Sequence, residues 1–581
     1  MTLNVEKMVF ELLSIIETNF QYLNDTLATC KGGDVDLSRF DNKLTEIALY
    51  MSMANSRRNS FAPIARLPPE LLSAIFLENL HDWQRKMFVR HPRTPPWVVV
   101  SHVCRHWRDV SLNCAELWTH ISLISRKWAD EFLKRSKAAP LTVRVELRYG
   151  SSIVENDTYG KNILDNLERV QDIWIDCPDN VANQLCAKLI TGGAPLLQSL
   201  HMSVHPSVRF IGANEMHPGA VPRLRDVHLV GFEVDWASPV FSGLTALGLS
   251  VCSTVGWNNF LLTSSQWSSL RLLYLDSILS EQNGFDIAVA NAQVKKIALP
   301  VLEELFLFGL TDSVMALFIH LDFPQSATVQ LVCDCEVAAQ DLSIFRPFMV
   351  DRFCSYLQSP VSPQSALLRS LHIRHEQASE TSWKITCGTS NLVNADGAYT
   401  HFQGNQALDD QFPLQFEFNR MHNETHFDEI MDFFRTLPRS HLNIITLDSN
   451  DESPSNNHRL WEAFQDSPAL RSIRLECSDA NKFIRVLKNI APTLMDIELK
   501  KIDFGQDEYW GVSGYFRRCG PGCLRSLCDA LASRAKAGFL LRKLCFDGCP
   551  GVTEDNVREL SKVVSEVVWM QNVEYLNIYP I

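Results

Sequence analysis

The chain has 581 residues, 46% of them hydrophobic and 21% charged, with a formal net charge of −13. That is enough chain for two to four domains, or for a small domain ahead of an elongated array. The acidic balance gives no general attraction to phosphate backbones, so nucleic acid is not expected as a partner.

The first twenty residues carry Glu6, Lys7, Glu11 and Glu17, which break any secretory apolar core. From Asn4 to about Cys30, apolar residues at Val5, Met8, Val9, Leu12, Ile15, Ile16, Phe20, Leu23 and Leu27 recur at helical spacing. Lys31-Gly32-Gly33-Asp34 ends that helix, and Leu37, Phe40, Leu44, Ile47 and Met51 predict a second one folding back on it. A coiled-coil dimerisation arm and an intramolecular hairpin both fit; the heptads do not persist, which favours the hairpin. The polar stretch Met53 to Phe61 reads as a linker, with a boundary near residue 62.

Ile64 to Leu80 reads IARLPPELLSAIFLENL. Pro68 and Pro69 suit a helix start, where a missing N–H costs nothing. Leu67, Leu71, Leu72, Ile75, Phe76 and Leu80 then follow at three- and four-residue steps, a stripe that must be covered. His81 to Pro96 reads as a solvated loop. Trp97 to Ile121 predicts a second helix, with Val99, Val100, Val103, Cys104, Trp107 and Val110 on one side, then a turn leading to Leu117-Trp118. Two or three short helices with so many apolar side chains bury too little of them alone, so a partner surface is expected.

Three motifs in this segment, L-P-x-E-L-L-x-x-I-F from Leu67, V-C-R-x-W-R from Val103 and L-W-x-x-I from Leu117, resemble an F-box. The version with Pro-Pro before the second helix and a long preceding loop is similar to the expanded F-box families of mushroom-forming fungi. The resemblance implies a non-catalytic subunit of an SCF-type (Skp-cullin-F-box) ubiquitin ligase. In it, Leu67, Pro68, Leu71, Ile75, Val103, Cys104 and Trp107 would contact or support a Skp-type adaptor, and through it a cullin. Trp118 would close the domain's own core. The alternative is a repeat scaffold that binds the adaptor but delivers nothing for degradation.

Beyond residue 125, apolar positions i, i+3 and i+5 keep returning, from Val170/Ile173/Ile175 and Leu197/Leu200/Met202 to Leu541/Leu544/Phe546 and Val573/Leu576/Ile578. So apolar a composition yields such triplets by chance. More telling, Pro195, Pro222, Pro300, Pro468 and Pro492 each stand two residues before a first position. First positions step by 27, 27, 20, 26 and 32 residues, later by 28 and 24, as in a leucine-rich repeat. Longer steps of 66 and 74 leave room for degenerate units near Val329/Leu331 and Phe416/Phe418. Helical patterns lie between strands at Asp179 to Ile190, Asp312 to Leu321, Phe427 to Leu437, Asn481 to Ile490 and Leu524 to Ala537. The run around Cys545 and Cys549 is similar to the cysteine-containing repeat found behind many F-boxes, which implies repeat-core or turn thiols.

The expected fold is α/β: an N-terminal helical hairpin (1–60, with its linker), a small all-α F-box (61–125) and a curved leucine-rich-repeat solenoid (126–581). With i+3 and i+5 turned inward, the i+4 side chains Trp174, His201, His228, Tyr274, Phe306, His372 and Arg474 would project from the concave face. They are candidates for binding an unknown protein substrate, with ordinary strand decoration as the other reading.

No enzyme is expected. There is no GxxxxGK[ST], no G-x-S-x-G and no strand-to-helix G-x-G-x-x-G. His102/His106 and His422/His426 are four apart, but neither pair is HExxH. The 16 cysteines are expected as thiols, and Cys333/Cys335, Cys519/Cys523 and Cys545/Cys549 all lack the two-residue gap of a zinc grip, so neither metal nor cofactor is expected. No run of 18 apolar residues suggests a membrane span. A cytoplasmic or nuclear protein follows.

Overall fold

The proline signal turns out to be a turn. Leu197, Leu224, Leu302, Leu470 and Leu494 donate their backbone N–H to the carbonyl three residues back, on Ala194, Val221, Leu299, Ser467 and Ala491, at 3.0–3.4 Å. Pro195, Pro222, Pro300, Pro468 and Pro492 thus occupy the second place of a four-residue turn, where their fixed φ is already correct. Leu270 and Leu442 close the same turn, onto Trp267 and Arg439, without a proline.

The computed structural model describes residues 2–29, 37–86, 95–122, 126–146, 165–177, 179–204, 219–234, 236, 239–254, 266–278, 296–324, 326–334, 368–377, 381–388, 414–419, 434, 437, 439–449, 457–476, 480–505, 517–519 and 522–570. They fall into two compact units, one from Met1–Glu146 with Glu155–Ile175, the other essentially Asp176–Ile581.

In the first unit, α1 (Thr2–Thr29) and α2 (Leu37–Ser60) pack on each other. The linker expected at 53–61 is not a loop: α2 runs through Ser60. No Gly or Pro interrupts it before Pro63, and Arg57 and Arg58 fall in its last turn, where cations favour the helix dipole. Next come α3 (Pro69–Lys86), α4 (Arg105–Asn113), β1 (His120–Ser122), α5 (Arg126–Arg135), β2 (Leu141–Glu146) and β3 (Val170–Asp176). β1 pairs with β2 in parallel, and β2 pairs with β3. The segment 61–125 is therefore not all-α, because Ile121, expected in a helical setting, lies buried in β1.

The second unit is a large, mostly parallel sheet with interspersed helices. Its strands are β4 (Ser199–Ser203), β5 (Asp226–Val230), β6 (Ala246–Ser250), β7 (Leu272–Asp276), β8 (Glu304–Leu310), β9 (Thr328–Asp334) and β10 (Ser370–Gln377). They continue as β11 (Thr381–Gly388), β12 (Leu414–Asn419), β13 (Ile444–Ser449), β14 (Ser472–Glu476), β15 (Asp496–Lys500), β16 (Leu541–Asp547) and β17 (Val564–Met570). Helices α6 (Asp179–Gly192), α7 (Thr311–His320), α8 (Asn457–Ala463), α9 (Ala480–Val486), α10 (Cys523–Lys536) and α11 (Glu554–Leu560) accompany them. The helix expected at 427–437 lies almost wholly outside the described residues, as does Val573/Leu576/Ile578.

Alternation is what makes the sheet hold. Leu200/Met202, Val227/Leu229, Leu247/Leu249, Leu273/Leu275, Leu305/Leu307, Ile473/Leu475 and Ile497/Leu499 are buried pairs two apart, and the first apolar position of each triplet is buried with them. Strands β4 through β9 pair in chain order, all parallel. Then the order breaks. β9 pairs with β12, β12 with β11 and β11 with β10, the last two antiparallel, before β10 pairs in parallel with β13 and regular order resumes to β17. Val329/Leu331 and Phe416/Phe418 are both strands, as expected of degenerate units, but they lie side by side, with a reversed meander between them and β13.

Candidate functional site

The first candidate site is the helical module after Pro63. A 3-10 turn, Pro63–Arg66, leads to Leu67, and the Pro68 carbonyl accepts the N–H groups of Leu71 and Leu72 as α3 begins. The α3 stripe divides in two. Leu72, Phe76 and Leu80 are buried, whereas Leu71 and Ile75, on an adjoining face, stand about half exposed. Leu67 is half-buried and Pro68 exposed. The helix runs on through Lys86, so the first part of the expected loop is helical, and residues 87–94 lie outside the described residues.

The single helix expected from Trp97 is instead two pieces. Pro96–His102 is a 3-10 segment, and Cys104, fully extended at φ −158° and ψ 172°, breaks the chain before α4. Three residues per turn regroup the side chains: Trp97, Val98 and Val100 are buried, and Val99 faces out with Val103. The Cys104 thiol accepts the Trp107 N–H at 3.5 Å, a weak helix cap. The Trp107 ring, half-buried, lies 5.1 Å from Phe76 across the α3–α4 contact. Ser101 donates to the Val98 carbonyl at 2.7 Å, and the Arg105 guanidinium reaches Ser52 on α2 at 3.3 Å.

Beneath this face the core is closed by Trp118, whose indole N–H donates to the Ser111 carbonyl at 2.8 Å. Phe132 of α5 packs against Trp118 at 5.1 Å and Trp97 at 5.8 Å, and Arg135 covers the Trp118 ring at 4.3 Å. Phe61, Ile64, Leu71, Ile75, Val99 and Val103 thus remain 41–60% exposed on neighbouring elements of one small module. Phe61, Ile64 and Val99 were not among the sequence candidates; a 3-10 period, in place of the helical one, would have turned Val99 outward.

The second candidate is a row across the sheet. His201 registers with His228, His228 with Gly248, Gly248 with Tyr274, and Tyr274 with Phe306. The row continues through Gln330, Gln415 and Thr386 to His372, then through Thr446 to Arg474 and Glu498. Six of the seven i+4 candidates therefore share one line of side chains. Trp174 stands on β3 in the other unit, with the Arg144 guanidinium 4.6 Å over its ring.

The two ends of the row differ. At one end rings follow one another, His201 to His228 and His228 to Tyr274 at 5.5 Å, then Tyr274 stacked on Phe306 at 4.3 Å. Gly248 makes this possible: a Cβ there would collide with the His228 ring, which leans across it toward Tyr274. Asp226 holds His201 at 3.0 Å, and burial keeps the His228 imidazole down at about 4. At the other end, Arg474 lies 3.5 Å from Glu498 and Arg374 lies 3.0 Å from Asp448, while Lys500 and Lys501 converge on Glu476. His372 sits among these charges at about 4, lowered by burial first and by Arg374 next.

Among the described residues no group of three or more His, Cys, Asp or Glu could hold a metal ion, and no helix is long and apolar enough to cross a membrane. His102 is exposed at the end of its 3-10 segment, and His422/His426 lie outside the described residues. Every described cysteine is a free thiol. Cys549 is a turn thiol donating to the Leu499 carbonyl at 3.2 Å, its pKa pushed up to about 12 by burial; Cys545 follows Glu498 in the row and is buried there.

Residues 64–124 match the F-box-like family, a match that suggests an adaptor-binding role in SCF-type complexes. No curated protein matches the chain.

Proposed function

We propose that this chain, with its F-box-like segment, is the substrate-recognition subunit of an SCF-type ubiquitin ligase. The module binds a Skp-type adaptor and through it a cullin, and the sheet that follows it in the chain, a leucine-rich-repeat-like array, holds a target protein. Ubiquitin chemistry then belongs to other subunits.

The observation that carries this reading is the set of outward apolar side chains on the matched segment and on Phe61 just before it. Covering six half-exposed side chains, at about 1 kcal/mol or more each, gives a gross gain comparable with the cost of association. In this reading Leu71, Ile75 and Val103 make contact, with Phe61, Ile64 and Val99 extending the surface. Leu67 and Pro68 set the start of α3, and Cys104 and Trp107 hold α4 against it. Domains are read as 1–60, 61–125 and 126–581, with α5 lending Phe132 to the second.

The repeat reading is supported by the turn thiols. Cys252 and Cys549 each stand three residues past the last buried apolar strand residue, Leu249 and Phe546, and each donates to the preceding strand's carbonyl, Leu229 and Leu499. The same donor at the same place after two strands far apart in the chain, β6 and β16, is what a repeated turn would produce.

The test is co-purification with a Skp-type adaptor. Leu71→Glu with Ile75→Glu alters two side chains that point into water, so circular dichroism and melting should not change while the complex is lost. Retention of the adaptor by that double variant would overturn the reading.

A further inference from the structure

Resting on the reading of the sheet face as the target-holding surface, we propose that its β4–β9 half takes a basic side chain of the captured protein. Its aliphatic stem lies along the Tyr274–Phe306 pair and its cationic head sits at Asp276.

The argument is one of charge and surface type. On strands β4 to β9 the first, third and fifth residues face this way, in three registered rows. No Lys or Arg stands in any of those rows, which contain the carboxylates Asp226, Asp276 and Glu304 beside the aromatic run. Asp276 accepts from the Ser250 hydroxyl at 2.5 Å and the Ser277 hydroxyl at 2.9 Å, whereas Asp226 accepts from Ser199 at 3.1 Å and also contacts His201 at 3.0 Å. At Asp276 the neutral hydroxyls orient the carboxylate without cancelling its charge. The nearest cation along the chain, Arg271, is bidentate on Glu303 at 2.7 and 2.9 Å, and Arg225 donates to the Leu224 carbonyl.

Beyond β9 the same face reads differently. Arg374, Arg474, Lys500 and Lys501 are already engaged by Asp448, Glu476 and Glu498, so that half satisfies its own charges. The β4–β9 half presents half-buried rings that a Lys or Arg stem can cover, and an oriented carboxylate for its head. An Arg fits best, since its planar guanidinium both stacks on rings and pairs bidentately with a carboxylate. The net charge of −13 draws such a segment in.

The experiment uses the full chain and fluorescence anisotropy with two labelled Gly/Ser peptides, one carrying arginines and the other citrulline in the same places. The arginine peptide should bind, and Asp276→Asn and Tyr274→Ala should each weaken it about tenfold with circular dichroism unchanged. Asp555→Asn, which removes an exposed acid on α11 outside the row, should leave affinity as it was. Equal binding of both peptides, no binding of either, or the same loss from Asp555→Asn would each overturn the proposal, the last by showing diffuse attraction. A target captured equally well by the Asp276→Asn chain removes this inference and leaves the ligase reading standing; a wild-type chain that fails to take up an adaptor removes the ligase reading instead.

Discussion

Phe76 and Trp107 meet across the α3–α4 contact with ring centroids 5.1 Å apart and planes tilted by 54°. One ring is wholly buried and the other half-exposed, so Trp107 belongs to the module's core and to its outer face at once. Trp107→Ala should lower stability by about 2–3 kcal/mol, less than a fully buried ring would cost. It should also weaken adaptor capture, whereas Trp107→Phe should recover most of both. Urea unfolding and pull-down on the same variants check this.

Acid should weaken the fold well above the carboxylate range. His120, His228 and His372 are held at about 4, chiefly by burial, against an ordinary value of 6.5. Below pH 6.5 the unfolded chain takes up protons at these sites and the folded chain does not. Their contribution is therefore fully present above 6.5 and is lost as pH falls toward about 4. Urea midpoints should drop steadily across that window, and His120→Phe should flatten the slope; a flat wild-type profile there would refute it.

Arg534 ties α10 to the segment that follows α9. It is 2% exposed and donates to the carbonyls of Leu487, Ile490 and Ala491 at 2.9, 2.5 and 3.1 Å, groups left over where α9 ends. Arg534→Met keeps the bulk but strands those carbonyls, at a cost of about 3 kcal/mol. Arg534→Lys should rescue little, because one ammonium does not reproduce the fork. Differential scanning calorimetry distinguishes the three chains.

At the turn after β16, Gly551 has φ +80°, and a Cβ there would run into the backbone of Gly505 and Phe504. The Phe504 N–H bonds to the Pro550 carbonyl at 2.8 Å, which holds the two segments together. Gly551→Ala should cost about 2–4 kcal/mol and appear as early melting of the C-terminal strands in hydrogen exchange.

What the sequence disclosed was local. Leu197/Leu200/Met202 and its successors announced strands because burial two apart leaves its mark in the chain, and Pro195 marked the approach to an extended segment, though not the turn it occupies. Trp118 was legible as core from its motif. Val99 was not, since a 3-10 segment and an α-helix share the same apolar letters but turn them differently. The meander was hidden for another reason: Ile385 and Cys387 in β11 carry the ordinary buried alternation, and nothing in it states which neighbour they meet or in which direction. Six of the seven i+4 residues stand in one row, but Gly248 was not legible, since its value lies in a missing side chain beside His228.

The displaced strand order has a consequence for how the chain matures on the ribosome. β4 to β9 can zip together as they emerge, each onto its predecessor, but the lateral partner of β9 is β12, which is translated only after β10 and β11. Until Leu414–Asn419 arrives, one edge of the nascent half-sheet stays open, and a pause or truncation in that interval leaves a sticky intermediate for chaperones to shield.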